Sequence, residues 1–168
     1  MTEEFSTTRD GFRPLDQIDT ILLAALQEQG RLRLEDLARQ VKLSPSTVHD
    51  RLRRLQRDGV IRKWTIAVNP QALNLTVLAF VGVRASRPCS ELVEALGRIH
   101  EVEEVHSVDG QLSLVLKVRA TSTEHLLHLI EQLKRIPGIE STETTVALKT
   151  YLERGPRPAL EDSETTAL

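Results

Sequence analysis

The sequence has little cysteine and no long apolar run. Of its 168 residues only one is a cysteine, Cys89, so neither an intramolecular disulfide nor a zinc site built from paired cysteines is available. Nowhere do about 18 apolar residues follow one another, and residues 1–14 lack the apolar centre of a signal peptide. These absences predict a cytoplasmic protein in a reducing compartment, with no membrane partner.

The chain also lacks a large charge excess of either sign, because 22 basic residues stand against 24 acidic ones. This balance excludes a uniformly basic, histone-like protein and a polyacidic disordered chain. The charges are nevertheless unevenly spread. Residues 31–63 hold ten basic and four acidic residues, whereas the segments 1–30 and 64–168 are each net acidic. A nucleic-acid site is therefore expected in the basic segment.

Apolar residues at helical spacing predict three short helices within residues 15–63. Asp16 can cap the first helix, which should run from about Gln17 to Gln29. Ser44 followed by Pro45 is a typical start for the third helix, directly after a tight turn. Two helices joined by such a turn predict a helix-turn-helix domain.

The third helix carries the functional argument. Val48, Leu52 and Leu55 define its buried side, so the polar residues between them lie on its flanks and its outer side. A solvated surface helix is the alternative, and the basic segment around it disfavours that interpretation. In such motifs the N-terminal residues contact base edges and basic side chains neutralise phosphates. The predicted base-edge contacts are Ser46, Thr47 and His49. The other predicted contacts are Asp50, Arg53, Arg54, Arg57 and Lys63.

Beyond residue 75 apolar residues alternate with a period of two, which is typical of strands, and a strand–helix–strand order occurs twice. This repeat predicts a ferredoxin-like βαββαβ domain, with both helices on one face of an antiparallel sheet. The first strand is apolar on both faces and needs a second cover. We expect a second subunit to cover the face with alternate residues from Val77 to Val83 and from Leu112 to Val118.

The predicted fold class is therefore α+β, in two domains. The predicted divisions are a flexible tail over 1–14, the helix-turn-helix domain over 15–63, a linker strand over 64–75, the ferredoxin-like domain over 76–151 and a flexible tail over 152–168.

Four segments then carry a resemblance to a known family. They read L-D-Q-I-D-T-I-L-L from Leu15, E-D-L-A-R-Q-V-K-L-S-P-S-T-V from Glu35, R-L-R-R-L-Q-R-D-G-V-I from Arg51 and I-P-G-I-E-S-T-E-T from Ile136. In this order they resemble the Lrp/AsnC (feast/famine) transcription regulators. The resemblance implies a winged-type helix-turn-helix joined to a ligand-sensing dimerisation domain. It also implies double-stranded DNA as partner, self-association into dimers or octamers, and an amino acid as effector, without a cofactor or metal.

The effector loop departs from the family pattern G-D-x-D, because Ser113 occupies the place of the second Asp. A carboxylate can pair with an ammonium group, whereas a hydroxyl can only hydrogen-bond to it. We therefore expect weak or absent binding of common amino acids. The effector residues that the resemblance implies are Asp109, Gly110, Gln111, Ser113, Thr142 and Thr144. Arg33, Lys42 and Asn74 replace a usual helix cap and two usual glycines, and we expect the fold to survive these changes.

No nucleophile motif or phosphate-binding glycine loop indicates an enzyme. His125 and His128 are three residues apart on a predicted helix, but no third metal ligand is evident. Two alternatives stay open: a sirohaem decarboxylase, since those enzymes resemble this family, and a small-molecule-binding protein without DNA activity. A bound coloured tetrapyrrole would distinguish the decarboxylase from a regulator.

Overall fold

A computed structural model of the chain describes residues 13–158, which divide into two compact units. Within the described residues, the first unit comprises 13–67 together with 154–158, and the second comprises Val68–Glu153. The rest of the two predicted tails lies outside the described residues. No helix in the described part is long and apolar enough to cross a membrane.

Three helices make up most of the first unit: α1 (Gln17–Glu28), α2 (Leu34–Val41) and α3 (Pro45–Arg57). The predicted caps are confirmed. Asp16 accepts a hydrogen bond from the Asp19 N–H at 2.7 Å, and Ser44 accepts one from the Thr47 N–H at 3.2 Å. Because each cap satisfies an otherwise unpaired N–H, it sets where its helix begins. The fully buried core residues of this unit are Leu22, Leu37, Ala38 and Val48.

The three departures from the family pattern are accommodated without a change of fold. Arg33 precedes α2 and makes no side-chain cap, while Glu35 and Asp36 place negative charge in the first turn. Lys42 ends α2 at a φ of 55°, and Asn74 adopts a φ of 59°. A left-handed residue other than glycine costs about 1–2 kcal/mol, and asparagine tolerates this conformation better than lysine.

The segment after α3 differs from the sequence prediction. Residues 58–69 form neither helix nor strand, and Pro70–Leu73 form a short 3₁₀ helix. The Asn69 side chain caps this helix by accepting a hydrogen bond from the Gln71 N–H at 3.0 Å. The predicted linker strand over 64–75 is therefore wrong, because Asn before Pro favours a turn with its own side-chain hydrogen bond.

The second unit has the predicted βαββαβ order. Its elements are β1 (Val77–Ala85), α4 (Cys89–Gly97), β2 (Val102–Ser107), β3 (Leu114–Ala120), α5 (Thr123–Lys134) and β4 (Ile139–Ala147). The strands form one antiparallel sheet in the order β2-β3-β1-β4, which confirms the ferredoxin-like topology. Both helices contribute buried leucines to a single core on one face of this sheet.

The prediction for the two faces of the sheet is wrong in one respect. Except for Leu112, the residues assigned to a subunit interface face the helices instead, in one cluster with Leu96 and Leu129. Because side chains alternate along a strand, the other face of β1 carries Leu78 and Phe80. We call this other face the open face. The strand residues that face the helices are Val77, Ala79, Val81, Val83, Leu114, Leu116 and Val118.

An apolar centre lies on the open face. Phe80 is 42% exposed there. Beside it, the Leu112 side chain packs over Gly82, where an added Cβ would come within 2.5 Å of Leu112 Cδ1. The absence of a side chain at Gly82 therefore leaves room for the Leu112 side chain to lie against the sheet.

Charged residues surround this centre on the open face. Arg119 of β3 is only 7% exposed, and its guanidinium lies 2.8 Å from Glu103 and 2.6 Å from Glu153. Lys117 pairs with the same two glutamates and with Glu104. Its hydrogen bond to Glu153 lowers the pKa of that carboxyl below the usual value. Glu153, predicted to lie in a flexible tail, is instead bound to the sheet.

The residues after Glu153 return to the first unit. Within that unit, the Gln27 side chain donates a hydrogen bond to the Pro156 carbonyl at 2.8 Å. Part of the predicted tail therefore makes a specific contact with α1. The sequence does not reveal this contact, because the composition of the segment favours disorder and the contact depends on a residue far away in the chain.

Candidate nucleic-acid interface and effector loop

α3 buries one side and exposes the other. Val48 and Leu55 are buried, as their spacing predicted. Most of the predicted DNA contacts lie on the opposite side or in the chain just after α3, and these residues are exposed. The exposed predicted contacts are Ser46, Thr47, His49, Asp50, Arg53, Arg57 and Lys63.

The Ser44 hydroxyl organises the first turn of α3. Its Oγ caps the helix and also lies 2.7 Å from Thr47 Oγ1 and 2.9 Å from Ser46 Oγ. Two of the three base-edge candidates are thus held in one hydrogen-bonded group at the N-terminus of the helix. His49 lies outside this group, with its Nδ1 3.6 Å from the Asp50 carboxylate.

Arg54 is the exception among the predicted contacts. A phosphate contact requires Arg54 to point outward, but its Nη2 donates to the Asp19 carboxylate of α1 at 2.7 Å. Arg51, one turn earlier, donates to the other oxygen of Asp19 at 2.9 Å. The predicted outward position of Arg54 is therefore wrong. Helical periodicity put Arg54 on a flank of α3, and the packing of α1 decided that this flank is covered.

Asp16 extends this cluster, because its carboxylate also pairs with Arg51. Burial alone would raise the pKa of Asp16, but the hydrogen bonds from Arg51 and from the Asp19 N–H outweigh burial and lower it. Asp19 and Arg51, which form this cluster with Arg54, were not among the predicted site residues. An acidic residue next to the apolar stripe of α1, together with arginines three positions apart on α3, was the available signal.

The predicted effector loop lies between β2 and β3. The Val108 N–H donates to the Ser113 carbonyl at 3.1 Å and closes the loop. Gly110, at its tip, has a φ of 126°, a conformation that side chains other than glycine rarely adopt. Asp109 and Gln111 are exposed beside it. The loop therefore presents backbone N–H groups and a carboxylate to the surroundings.

The other predicted effector residues are partly engaged within the protein. Ser113 Oγ accepts a hydrogen bond from the Ala85 N–H at 3.1 Å, so this hydroxyl has a structural partner. Thr142 of β4 lies opposite Val83, at the same end of the sheet as the loop. Its Oγ1 is buried and has no hydrogen-bond partner among the residues described. Thr144 lies two residues further along β4, away from the loop.

The histidines considered as metal ligands have other partners. His125 lies 3.0 Å from Glu101 through Nε2 and 3.0 Å from the Thr121 hydroxyl through Nδ1. His128 is exposed beside Glu131. Within residues 13–158 no group of three or more His, Cys, Asp or Glu side chains is arranged to hold a metal ion.

A helix-turn-helix in one unit and a ferredoxin-like unit in the same chain indicate a two-domain DNA-binding regulator. Comparison with known families agrees with this class. Residues 15–62 match the winged helix-turn-helix DNA-binding family, and residues 78–157 match the Lrp/AsnC ligand binding domain. The chain belongs to the Lrp/AsnC family and is a transcriptional regulator of that type.

Its relatives include the HTH-type transcriptional regulator FL11 of Pyrococcus horikoshii, 36% identical over 83% of this chain and 93% of that protein. The leucine-responsive regulatory protein of Escherichia coli is 34% identical over 82% of this chain and 87% of its own length. Among solved structures, the feast or famine regulatory protein of M. tuberculosis complexed with L-methionine has a TM-score of 0.81 at 33% identity. That match covers 87% of this chain and all of the other.

Proposed function

We propose that this regulator contacts duplex DNA through the exposed side of α3 and acts by binding, without catalysis. The single observation that carries the proposal is the composition of that side, with hydroxyls and an imidazole at the helix N-terminus and arginines further along. In the proposal, Ser46, Thr47 and His49 contact base edges. Arg53, Arg57 and Lys63 neutralise phosphates, and Arg53 has no carboxylate partner within residues 13–158.

Replacing Arg53 and Arg57 together by Gln is expected to weaken binding to every duplex. Each phosphate contact that is lost should flatten the slope of log K against log salt by about 0.9. Fluorescence anisotropy of the full chain with its own promoter duplex, over a series of salt concentrations, measures both quantities. Arg135, exposed at the end of α5, provides the control, since Arg135→Gln should leave the slope unchanged. An unchanged slope in the double variant would contradict the assignment of these arginines.

We also propose that the loop 108–113 and Thr142 receive a small metabolite with a carboxylate, such as an amino acid. Backbone N–H groups around Gly110 can receive the carboxylate, because glycine allows close approach. Support comes from the unpartnered Thr142 hydroxyl near this end of the sheet, and from the L-methionine complex of the mycobacterial relative.

Binding of L-methionine to the unaltered protein is expected to be weak, because Ser113 offers the ammonium group no negative charge. Ser113→Asp should strengthen it by about tenfold, since a charged hydrogen bond contributes more than a neutral one. One carboxylate oxygen can still accept the Ala85 N–H while the other stays available. Titration calorimetry measures the change, and Ser113→Asn is the neutral control. Tight binding by the unaltered protein would show that another group supplies the missing charge.

We propose, finally, that the open face of the sheet is where two copies of the chain associate. It combines the apolar centre around Phe80 and Leu112 with charged residues at its border. Largely exposed apolar side chains follow β4 along the same segment that leads to Glu153: Leu148, Tyr151 and Leu152. Leaving this apolar area in water is unfavourable, and covering it with a second copy removes the cost.

A further inference from the structure

Asp19 is the most deeply buried carboxylate in the described part of the first unit. It is 3% exposed on α1, and both of its oxygens accept hydrogen bonds from arginines of α3. An isolated buried carboxylate would be strongly unfavourable, so the two guanidinium groups are what allow it to remain there. This pairing joins the first helix of the unit to its recognition helix.

α3 contains four arginines, and this pairing divides them into two sets. Arg51 and Arg54 are turned toward α1, with about a quarter of each side chain exposed. Arg53 and Arg57 lie on the exposed side, where Arg57 has the neighbouring Asp58 as its one carboxylate partner within residues 13–158. The two carboxylates of Asp16 and Asp19 thus compensate half of the arginine charge of the helix before any DNA is present.

We propose that Asp19 is a positioning residue for DNA binding, which orients α3, withholds Arg54 from phosphates and, together with Asp16, withholds Arg51. This inference rests on the proposed role of α3. Phosphate contacts strengthen binding to all sequences alike, whereas base contacts discriminate between them. By limiting the number of arginines that reach phosphates, Asp19 keeps the sequence-independent affinity low. The base-edge residues at the start of α3 then account for a larger share of operator binding.

The salt dependence of DNA binding tests this role, because a purely structural role of Asp19 would not change it in the same way. In the unaltered background, Arg54→Gln should leave the slope of log K against log salt unchanged, whereas Arg53→Gln should flatten it by about 0.9. Asp19→Asn releases Arg54, whereas Arg51 keeps its pairing with Asp16. The variant should therefore steepen the slope by up to about 0.9, and should reduce the ratio of operator to non-operator affinity.

Adding Arg54→Gln to Asp19→Asn should flatten the slope again by about 0.9, although Arg54→Gln alone is expected to leave the slope unchanged. Glu28→Gln is the matched control: it removes one exposed carboxylate of α1 that has no arginine partner on α3, and should not change the slope. Thermal unfolding confirms that each variant is folded. If Asp19→Asn does not fold, the comparison of Arg54→Gln with Arg53→Gln still tests whether Arg54 is withheld from phosphates.

Two results would overturn the inference while leaving the proposed function intact. One is an equal flattening of the slope by Arg54→Gln and Arg53→Gln, which would mean that Arg54 contacts phosphates despite Asp19. The other is a folded Asp19→Asn variant with an unaltered slope. Failure of the unaltered chain to bind any duplex would instead contradict the proposed function, and the inference with it.

Discussion

Phe80→Glu is expected to convert the associated protein into monomers. Phe80 lies at the apolar centre of the open face, and a glutamate there would bring a charge into the proposed interface and remove an aromatic contact. Central aromatic residues of interfaces contribute about 2 kcal/mol or more, so the dissociation constant of the dimer should rise by about 30-fold or more. Light scattering over a range of protein concentrations measures the change in mass.

Leu127→Glu on α5 is the matched control for this prediction. Leu127 is 54% exposed and lies on the helical side of the second unit. The substitution therefore introduces the same charge at a similar exposure, away from the open face. We expect the dimer to persist in this variant. Dissociation by Leu127→Glu and not by Phe80→Glu would place the interface on the helices and contradict the proposed assembly.

His49→Ala is expected to change which operator sequences the protein prefers. His49 is exposed near the N-terminus of α3 and is not held in the hydrogen-bonded group around Ser44. A good side-chain contact to a base edge contributes about 1–3 kcal/mol of discrimination, so that much preference at one base pair should be lost. Affinities for the operator and for duplexes with single base-pair changes, at one salt concentration, measure this effect.

The salt dependence separates this role from a phosphate contact. His49→Ala should leave the slope of log K against log salt nearly unchanged, because a base-edge contact releases no counterions, whereas Arg53→Gln should flatten it. Weakening by the same factor for every duplex would contradict a base-edge role for His49. His49 would then be assigned to the residues that contact the DNA backbone and position the protein on it.

Much of the fold could be predicted from local signals. Asp16 and Ser44 are good caps, so α1 and α3 begin where the sequence predicts. The bounds of the strands follow less directly from local signals. β2 begins at Val102 at the edge of the sheet, where alternation is weak and the ends of a strand depend on pairing with β3.

The candidate site was predicted to a smaller extent. The exposure of Ser46, Thr47 and His49 follows from the helical period once the buried side of α3 is known. The roles of Asp19 and Ser113 did not follow from the sequence, because each depends on a residue far away in the chain. Asp19 pairs with arginines more than 30 residues later, and Ser113 accepts a hydrogen bond from the Ala85 N–H, 28 residues earlier.

The sequence by itself determined the helix-turn-helix, the βαββαβ order and the family, because caps, apolar periods and ordered motifs are properties of short segments. Only the tertiary structure decided which side of β1 is open and where Arg54 points. Both sides of β1 are apolar, so its period is the same whichever side the helices cover. Arg54 lies on a flank of α3, and the carboxylate of Asp19, brought there by the packing of α1, turns it inward.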